Sequence, residues 1–211
     1  MYSAEHSFIS WLNIILGLIL IASSMLKAIN IYSFATEAGE YIDLYMFEWM
    51  HGWKMFYAIS VCCIEMLIGL LSFKHEYIHI TSIFMMLVLA FFVYITGINL
   101  FFPTIFGSIE SCGCFGELVH FTPLASFVKS VALCVLALIL FAWCVNTEQP
   151  FRVSKIIRDW YVYASVLASL VLPLLSLCCF NQMEHESYMI IYAVLCGIVA
   201  TGMWIVYKKA S

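Results

Sequence analysis

The run Ile83-Phe84-Met85-Met86-Leu87-Val88-Leu89-Ala90-Phe91-Phe92-Val93-Tyr94-Ile95 contains no charged residue. A surface helix of a soluble protein keeps a polar stripe toward water, whereas this stretch is apolar on every side and suits hydrocarbon. Two further runs, Trp11 to Met25 and Val131 to Val145, also lack any Asp, Glu, Lys or Arg. Of the 211 residues, 64% are hydrophobic and 10% charged, where soluble domains carry roughly 25% charge. The mean hydropathy of +1.01 has these runs as its local cause. The composition argues against a water-soluble fold. It argues equally against nucleic-acid binding, because nine Lys and Arg spread along the chain make no phosphate-binding footprint.

Outward from that run, six segments are long enough to cross roughly 30 Å of hydrocarbon at about 20 residues each. They cover approximately 8–27, 54–73, 79–101, 123–145, 159–180 and 187–207. The expected fold is an all-α, polytopic membrane helical bundle of six spans. Pro103 and the glycines Gly107, Gly113 and Gly116 break the helical pattern between the third and fourth segments. Gly17, Gly69 and Gly97 occur singly within spans, where a small residue allows close helix contact.

Charge sets the expected orientation. With a cytoplasmic amino terminus, the inner loops and tail hold Lys74, Arg152, Lys155, Arg158, Lys208 and Lys209, as the positive-inside rule requires. The outer loops then hold Glu37, Glu40, Asp43, Glu48, Glu110, Glu117, Glu184 and Glu186. Both termini are therefore expected in the cytoplasm. The first apolar run has no Lys or Arg before it and no small-x-small site after it, so it is expected to be retained rather than cleaved as a signal.

The first outer loop, roughly 28–53, carries Tyr32, Phe34, Tyr41, Tyr45, Phe47 and Trp49. It reads as an interfacial amphipathic helix or as a surface for a partner or quinone. The next outer loop contains Ser111-Cys112-Gly113-Cys114-Phe115-Gly116. The extracytoplasmic side permits disulfides, and one residue between two cysteines would close a small, strained and easily reduced ring. A structural staple, a redox-active pair and two unpaired thiols remain open readings. A lone Cys-x-Cys with only His120 nearby does not make a four-coordinate zinc site, so no metal is expected. His120 is a candidate for stabilising a thiolate; His51 and His185 project to the same side.

Two cysteine doublets lie in the spans. Cys178-Cys179 falls near the outer end of the fifth segment, and Cys62-Cys63 about two turns inside the outer end of the second. They are candidates for exchanging electrons with Cys112 and Cys114, or are small apolar packing residues. Glu65 lies near the middle of the second span and Lys129 in the outer half of the fourth, about 8 Å apart in depth. Lys27, at the end of the first span, is a second potential partner for Glu65. These buried charges read as a structural ion pair, or as a proton relay or cofactor anchor.

On these residues the chain resembles the membrane protein family that includes the methylamine-utilisation protein MauE and the wider DoxX-like group. One anchor is Gly17-Leu18-Ile19-Leu20-Ile21-Ala22-Ser23-Ser24-Met25-Leu26-Lys27, followed by Tyr32-Ser33-Phe34-Ala35. The other is the Ser111 to Gly116 motif, followed by Thr122-Pro123 and Lys129, with Glu65 between the two anchors. Ser130 follows Lys129 where relatives often carry an acidic residue. The resemblance implies a four-helix DoxX-like core over 1–150, and beyond it the chain continues through the two apolar segments of a C-terminal transmembrane hairpin over 151–211. It also implies membrane-linked thiol and disulfide chemistry at Cys112 and Cys114, supporting maturation of periplasmic proteins beside a thioredoxin-like partner. The expected protein is thus an inner-membrane component that exchanges disulfide electrons with a thioredoxin-like or extracytoplasmic thiol protein, for which a quinone is a candidate redox partner within the bilayer. The alternatives are a non-enzymatic scaffold or assembly subunit with a structural Cys-Gly-Cys loop, and a small transporter with Glu65 and Lys129 along its path.

Overall fold

The structure is a computed structural model that describes residues 2–44, 48–102, 122–147, 159–179 and 186–210. Every apolar segment expected from the sequence contains an α-helix. These are α1 (Tyr2–Ile29), α3 (Lys54–Leu71), α4 (Ile78–Phe101), α5 (Pro123–Asn146), α6 (Trp160–Cys179) and α7 (Glu186–Ala210). Between α1 and α3 lies α2 (Ile31–Leu44), followed by a 3-10 turn over Glu48–Trp53. The aromatic connection at 28–53 is therefore largely helical.

Local sequence explains where several helices stop and start. A single residue, Asn30, separates α1 from α2, and its carbonyl accepts from the Phe34 amide at 3.2 Å. The last turn of α4 closes with Phe102 N donating to Ile98 O at 2.9 Å, immediately before Pro103. A residue preceding proline is steered away from helical angles. Thr122 caps α5, its hydroxyl accepting from the Ala125 amide at 3.3 Å, and Pro123 occupies the first helical position, where its missing N–H costs nothing.

Among the described residues, four stretches are long and apolar enough to cross a membrane: Ser7–Ile29, Lys54–Leu71, His75–Phe101 and Pro123–Asn146. The apolar stretches of α6 and α7, Trp160–Pro173 and Cys196–Lys208, are shorter among the described residues. Phe84, Leu87, Phe91, Leu138 and Ile139 are exposed on α4 and α5. Such surfaces belong against lipid. The chain is a multi-pass membrane protein with an all-α helical bundle.

The bundle core joins Leu12, Leu16 and Leu20 of α1 to Ile68 of α3, Met85 and Leu89 of α4, and Ala137 and Leu140 of α5. Lipid tails are as apolar as leucine, so such helices are held by close packing and by polar groups that pair across helices. The α1–α3 contact has both. A Cβ on Gly17 would fall 1.7 Å from Ser72 Oγ and 3.1 Å from Gly69 O, and one on Gly69 would fall 2.7 Å from Gly17 O. These glycines let the two backbones touch. Asn13 Nδ2 donates to Ser72 O at 2.7 Å, and Asn13 Oδ1 accepts from Thr81 Oγ1 at 3.1 Å, which ties α1 to both α3 and α4. On α4, the Phe127 ring covers Gly97.

A second cluster seats Ile31, Phe34 and Ala35 of α2 on Met55, Ala58, Ile59 and Cys62 of α3. The C-terminal part attaches at the opposite end of α3. There Tyr161 Oη donates to Leu70 O at 2.7 Å, and Asp159 accepts from Lys74 Nζ and Tyr77 Oη. Helix α7 packs on α6, with Tyr163 and Tyr207 meeting edge to face at 5.4 Å.

Candidate functional site

The buried charges form one polar centre in the bundle. Lys27 Nζ donates to Glu65 Oε1, and both side chains are 0% exposed. The pairing follows from the α1–α3 packing. Gly17 lies against Gly69, and Ser24 Oγ donates to Cys62 O at 2.8 Å, so the helices run antiparallel with Lys27 beyond the Cys62 level. A helical side chain points back toward the helix amino terminus, which brings the lysine stem down to Glu65. The Ser23 hydroxyl also bonds the Glu65 carboxylate. Aromatic faces complete the enclosure: Lys27 Nζ lies 5.2 Å from the Phe34 ring centre and 4.5 Å from that of Phe92. Both distances suit cation–π attraction, which strengthens where water is excluded.

Of the two lysines considered for Glu65, Lys27 makes the ion pair. Lys129 contributes through its charge, and its ammonium is buried. Glu65 Oε2 is buried and has no hydrogen-bond partner among the described residues. The centre therefore holds two ammonium groups and one carboxylate, joining α1, α3 and α5. Such an arrangement fixes helix register, and its carboxylate has one oxygen left to accept a hydrogen bond.

The centre lies toward one end of the bundle. Phe92 stands nine residues before the end of α4 at Phe101, about 14 Å along the helix. The end of α4 and the start of α5 lie together there, with Phe101 and Phe127 rings 5.3 Å apart. The chain between them carries Cys112, Cys114 and His120, which lie outside the described residues.

The cysteine doublets differ. Cys62 is a thiol outside any disulfide and wholly buried beneath α2, and Cys63 is half-buried. Successive residues on a helix diverge by about 100°, so Cys62 sits within the α2–α3 cluster while Cys63 packs against it only in part. Cys178 and Cys179 end α6, but their side chains lie outside the described set, as do those of His51 and His185. Cys134, Cys144 and Cys196 are also free, and Cys144 packs in the bundle core.

Sequence reasoning missed Ser23, Ser24, Phe34 and Phe92 as parts of the centre. Ser23 and Ser24 stand four and three residues before Lys27, the spacing of one helix face. That signal was available. Phe92 was hidden within a continuous apolar run, and only helix packing singles it out. Asp159, just ahead of an apolar segment, was likewise missed. Its Oδ1 accepts from Tyr161 N at 3.0 Å at the start of α6. Burial alone would raise its carboxyl pKa, but the hydrogen bonds from Lys74 and Tyr77 outweigh this and hold it below the usual carboxylate range.

No curated protein and no solved structure matches the chain. The model of one family, methylamine utilisation protein MauE, matches residues 5–143. The matched region begins in α1, includes the Lys27–Glu65 pair, Cys112, Cys114 and Lys129, and ends within α5, about two thirds of the sequence. On that match, the chain belongs to the MauE family of membrane proteins.

Proposed function

We propose that the protein is a thiol–disulfide exchange component of the inner membrane that supports disulfide formation or maturation of extracytoplasmic proteins with a thioredoxin-like partner. The reading has six spans, both termini in the cytoplasm and the Cys112 to Cys114 segment on the periplasmic side. The domain division accompanies it, with a four-helix core over 1–150 and a two-helix extension over 151–211. The observation that carries it is the family match over 5–143, which includes Ser111-Cys112-Gly113-Cys114-Phe115-Gly116. The basic residues before α6 and at the end of α7 support the orientation.

In the exchange, a thiolate of Cys112 or Cys114 attacks a client disulfide. One S–S bond breaks, a mixed disulfide forms, and the leaving client sulfur takes up a proton. The second cysteine then attacks the mixed disulfide, closing the Cys112–Cys114 bond and releasing the client as a dithiol. Two electrons pass to the client; the reverse sequence oxidises a client dithiol. His120, six residues after Cys114, is the candidate for stabilising the thiolate.

The test is trapping in native membranes with Cys112→Ser and Cys114→Ser variants, read by mass spectrometry. The expected result is a thiol-sensitive adduct to a thioredoxin-like or secreted protein in one single variant, lost in the double variant. A Cys112–Cys114 bond permanently closed in the unaltered protein, with no adduct in either single variant, would replace exchange with a structural role for the loop in a scaffold subunit.

A further inference from the structure

Between α6 and α7 lies a cavity of about 240 Å³, walled by Trp160, Tyr163, Met203, Trp204 and Tyr207, with Ala164 and Ala200 among the residues between them. Nothing in the thiol chemistry uses it. It sits where α6 begins and α7 ends, so it is a feature of one end of the helix pair. Trp160 and Trp204 are both exposed. Lys208 Nζ stands 5.2 Å from the Trp204 ring centre, which puts a cation at the rim. Lys209 follows it, and Arg158 stands two residues before Trp160 in the sequence.

We infer that this groove binds an anionic glycerophospholipid, with part of an acyl chain among the aromatic rings and the phosphate beside Lys208. Three observations converge. The volume falls below the roughly 300–1,000 Å³ that encloses a drug-sized ligand, so the groove holds one end of a longer molecule. Its lining is apolar, but Trp and Tyr rings carry N–H and O–H groups, the combination found at headgroup depth. Its rim is cationic, and a basic pocket between membrane helices selects a negatively charged headgroup. Small side chains at Ala164 and Ala200 leave the space, which a larger residue would fill.

This inference rests on α6 and α7 crossing the bilayer. The full chain is reconstituted in symmetric vesicles of equal parts phosphatidylcholine and phosphatidylglycerol, and the lipid retained after extraction is identified by native mass spectrometry. Phosphatidylglycerol is expected in excess over phosphatidylcholine by about fivefold, the discrimination one surface lysine supplies. Lys208→Gln should abolish the preference while the zwitterionic lipid is still retained. Ala200→Trp should remove retention of both, with unchanged helical circular dichroism as the folding control. Equal retention of the two lipids by the unaltered protein, or undiminished retention by a folded Ala200→Trp variant, overturns the groove. Labelling of Gln182→Cys, between α6 and α7, by an impermeant thiol reagent from the outer face of oriented membranes, in a variant whose nine native cysteines are replaced by serine, tests the crossing separately, because symmetric vesicles offer the anionic lipid on both faces; protection of that cysteine overturns the inference.

Discussion

Two ion pairs among the described residues join helices of this bundle, and their settings are opposite. Lys27–Glu65 is sealed between helices at 0% exposure for both side chains, under two aromatic rings. Lys74–Asp159 lies at the other end of α3 with the lysine side chain 39% and the aspartate side chain 12% exposed. In the first, neither charge can turn to water, so each depends on the other and on enclosed neighbours, Ser23 and Lys129 for Glu65 and two aromatic faces for Lys27. In the second, Lys74 keeps part of its hydration, and Asp159 also takes hydrogen bonds from Tyr77 and the Tyr161 amide. The same chemical pair is thus an obligatory element in one place and a supporting attachment in the other. Removing one member of a buried pair leaves an uncompensated charge, whereas an exposed pair contributes little.

The largest expected effect breaks the sealed pair. Lys27→Met strands the Glu65 carboxylate and should destabilise the bundle by about 3–5 kcal/mol, read as reduced resistance to denaturing detergent. The triple variant Lys27→Met, Glu65→Met, Lys129→Met should recover most of that loss, because three apolar side chains leave no charge in the centre to satisfy. If the single variant unfolds no more readily than the unaltered protein, water reaches the pair and the contrast between the two settings collapses.

An intermediate effect is expected where the α1–α3 contact positions that pair. Gly17→Ala places a methyl 2.7 Å from Ser72 Cβ and against its hydroxyl, so the helices must separate or Ser72 must move. Overpacking of this kind costs about 1–3 kcal/mol. Adding Ser72→Gly should restore stability by making room. Restoration would show that the contact at Gly17 is steric, and continued loss would mean that the Ser72 hydroxyl, bonded to Gly69 O at 2.7 Å, matters more than the space it occupies.

The smallest effect concerns the exposed pair. Lys74→Ala should cost less than about 1 kcal/mol and lose what effect it has in high salt. Its pH dependence has a definite sign. Asp159 is held below its ordinary range, so its contribution is present above the unfolded value of about 3.9 and is lost as pH falls through the lower folded value. Trp160 fluorescence should therefore stay constant from neutral pH down to about 5 and change only in stronger acid. Asp159→Asn should remove that acid transition; if the transition survives, another group governs the attachment of α6.

The helices themselves were legible in composition because an uncharged run such as Ile83 to Ile95 has one stable environment. Gly17 and Gly69 were legible as packing positions, although their mutual contact was not. Glu65 announced itself as a buried charge, and the sequence offered two lysines for it. Depth along separate helices put Lys129 first and Lys27 second, since sequence gives distance along a helix and not rotation about it. Packing resolved the choice: α1 lies directly on α3, and Lys27 points back along its own helix to Glu65. Asp159 and Phe92 were unreadable for the same reason, since their neighbours are remote in sequence.

What the sequence alone determined is the solvent and the menu of parts. Its charge-free runs require lipid, and its Gly17 to Lys27 and Ser111 to Gly116 anchors pointed to the family that the match over 5–143 bears out. Hydrophobic transfer depends on composition, so it can be read without coordinates. Only the tertiary structure decided which lysine answers Glu65, which aromatic rings enclose it, and that Lys74 and Tyr77 meet Asp159 where α6 joins the bundle. Those are contacts between side chains on different helices, and they exist only once the helices have their rotations and register.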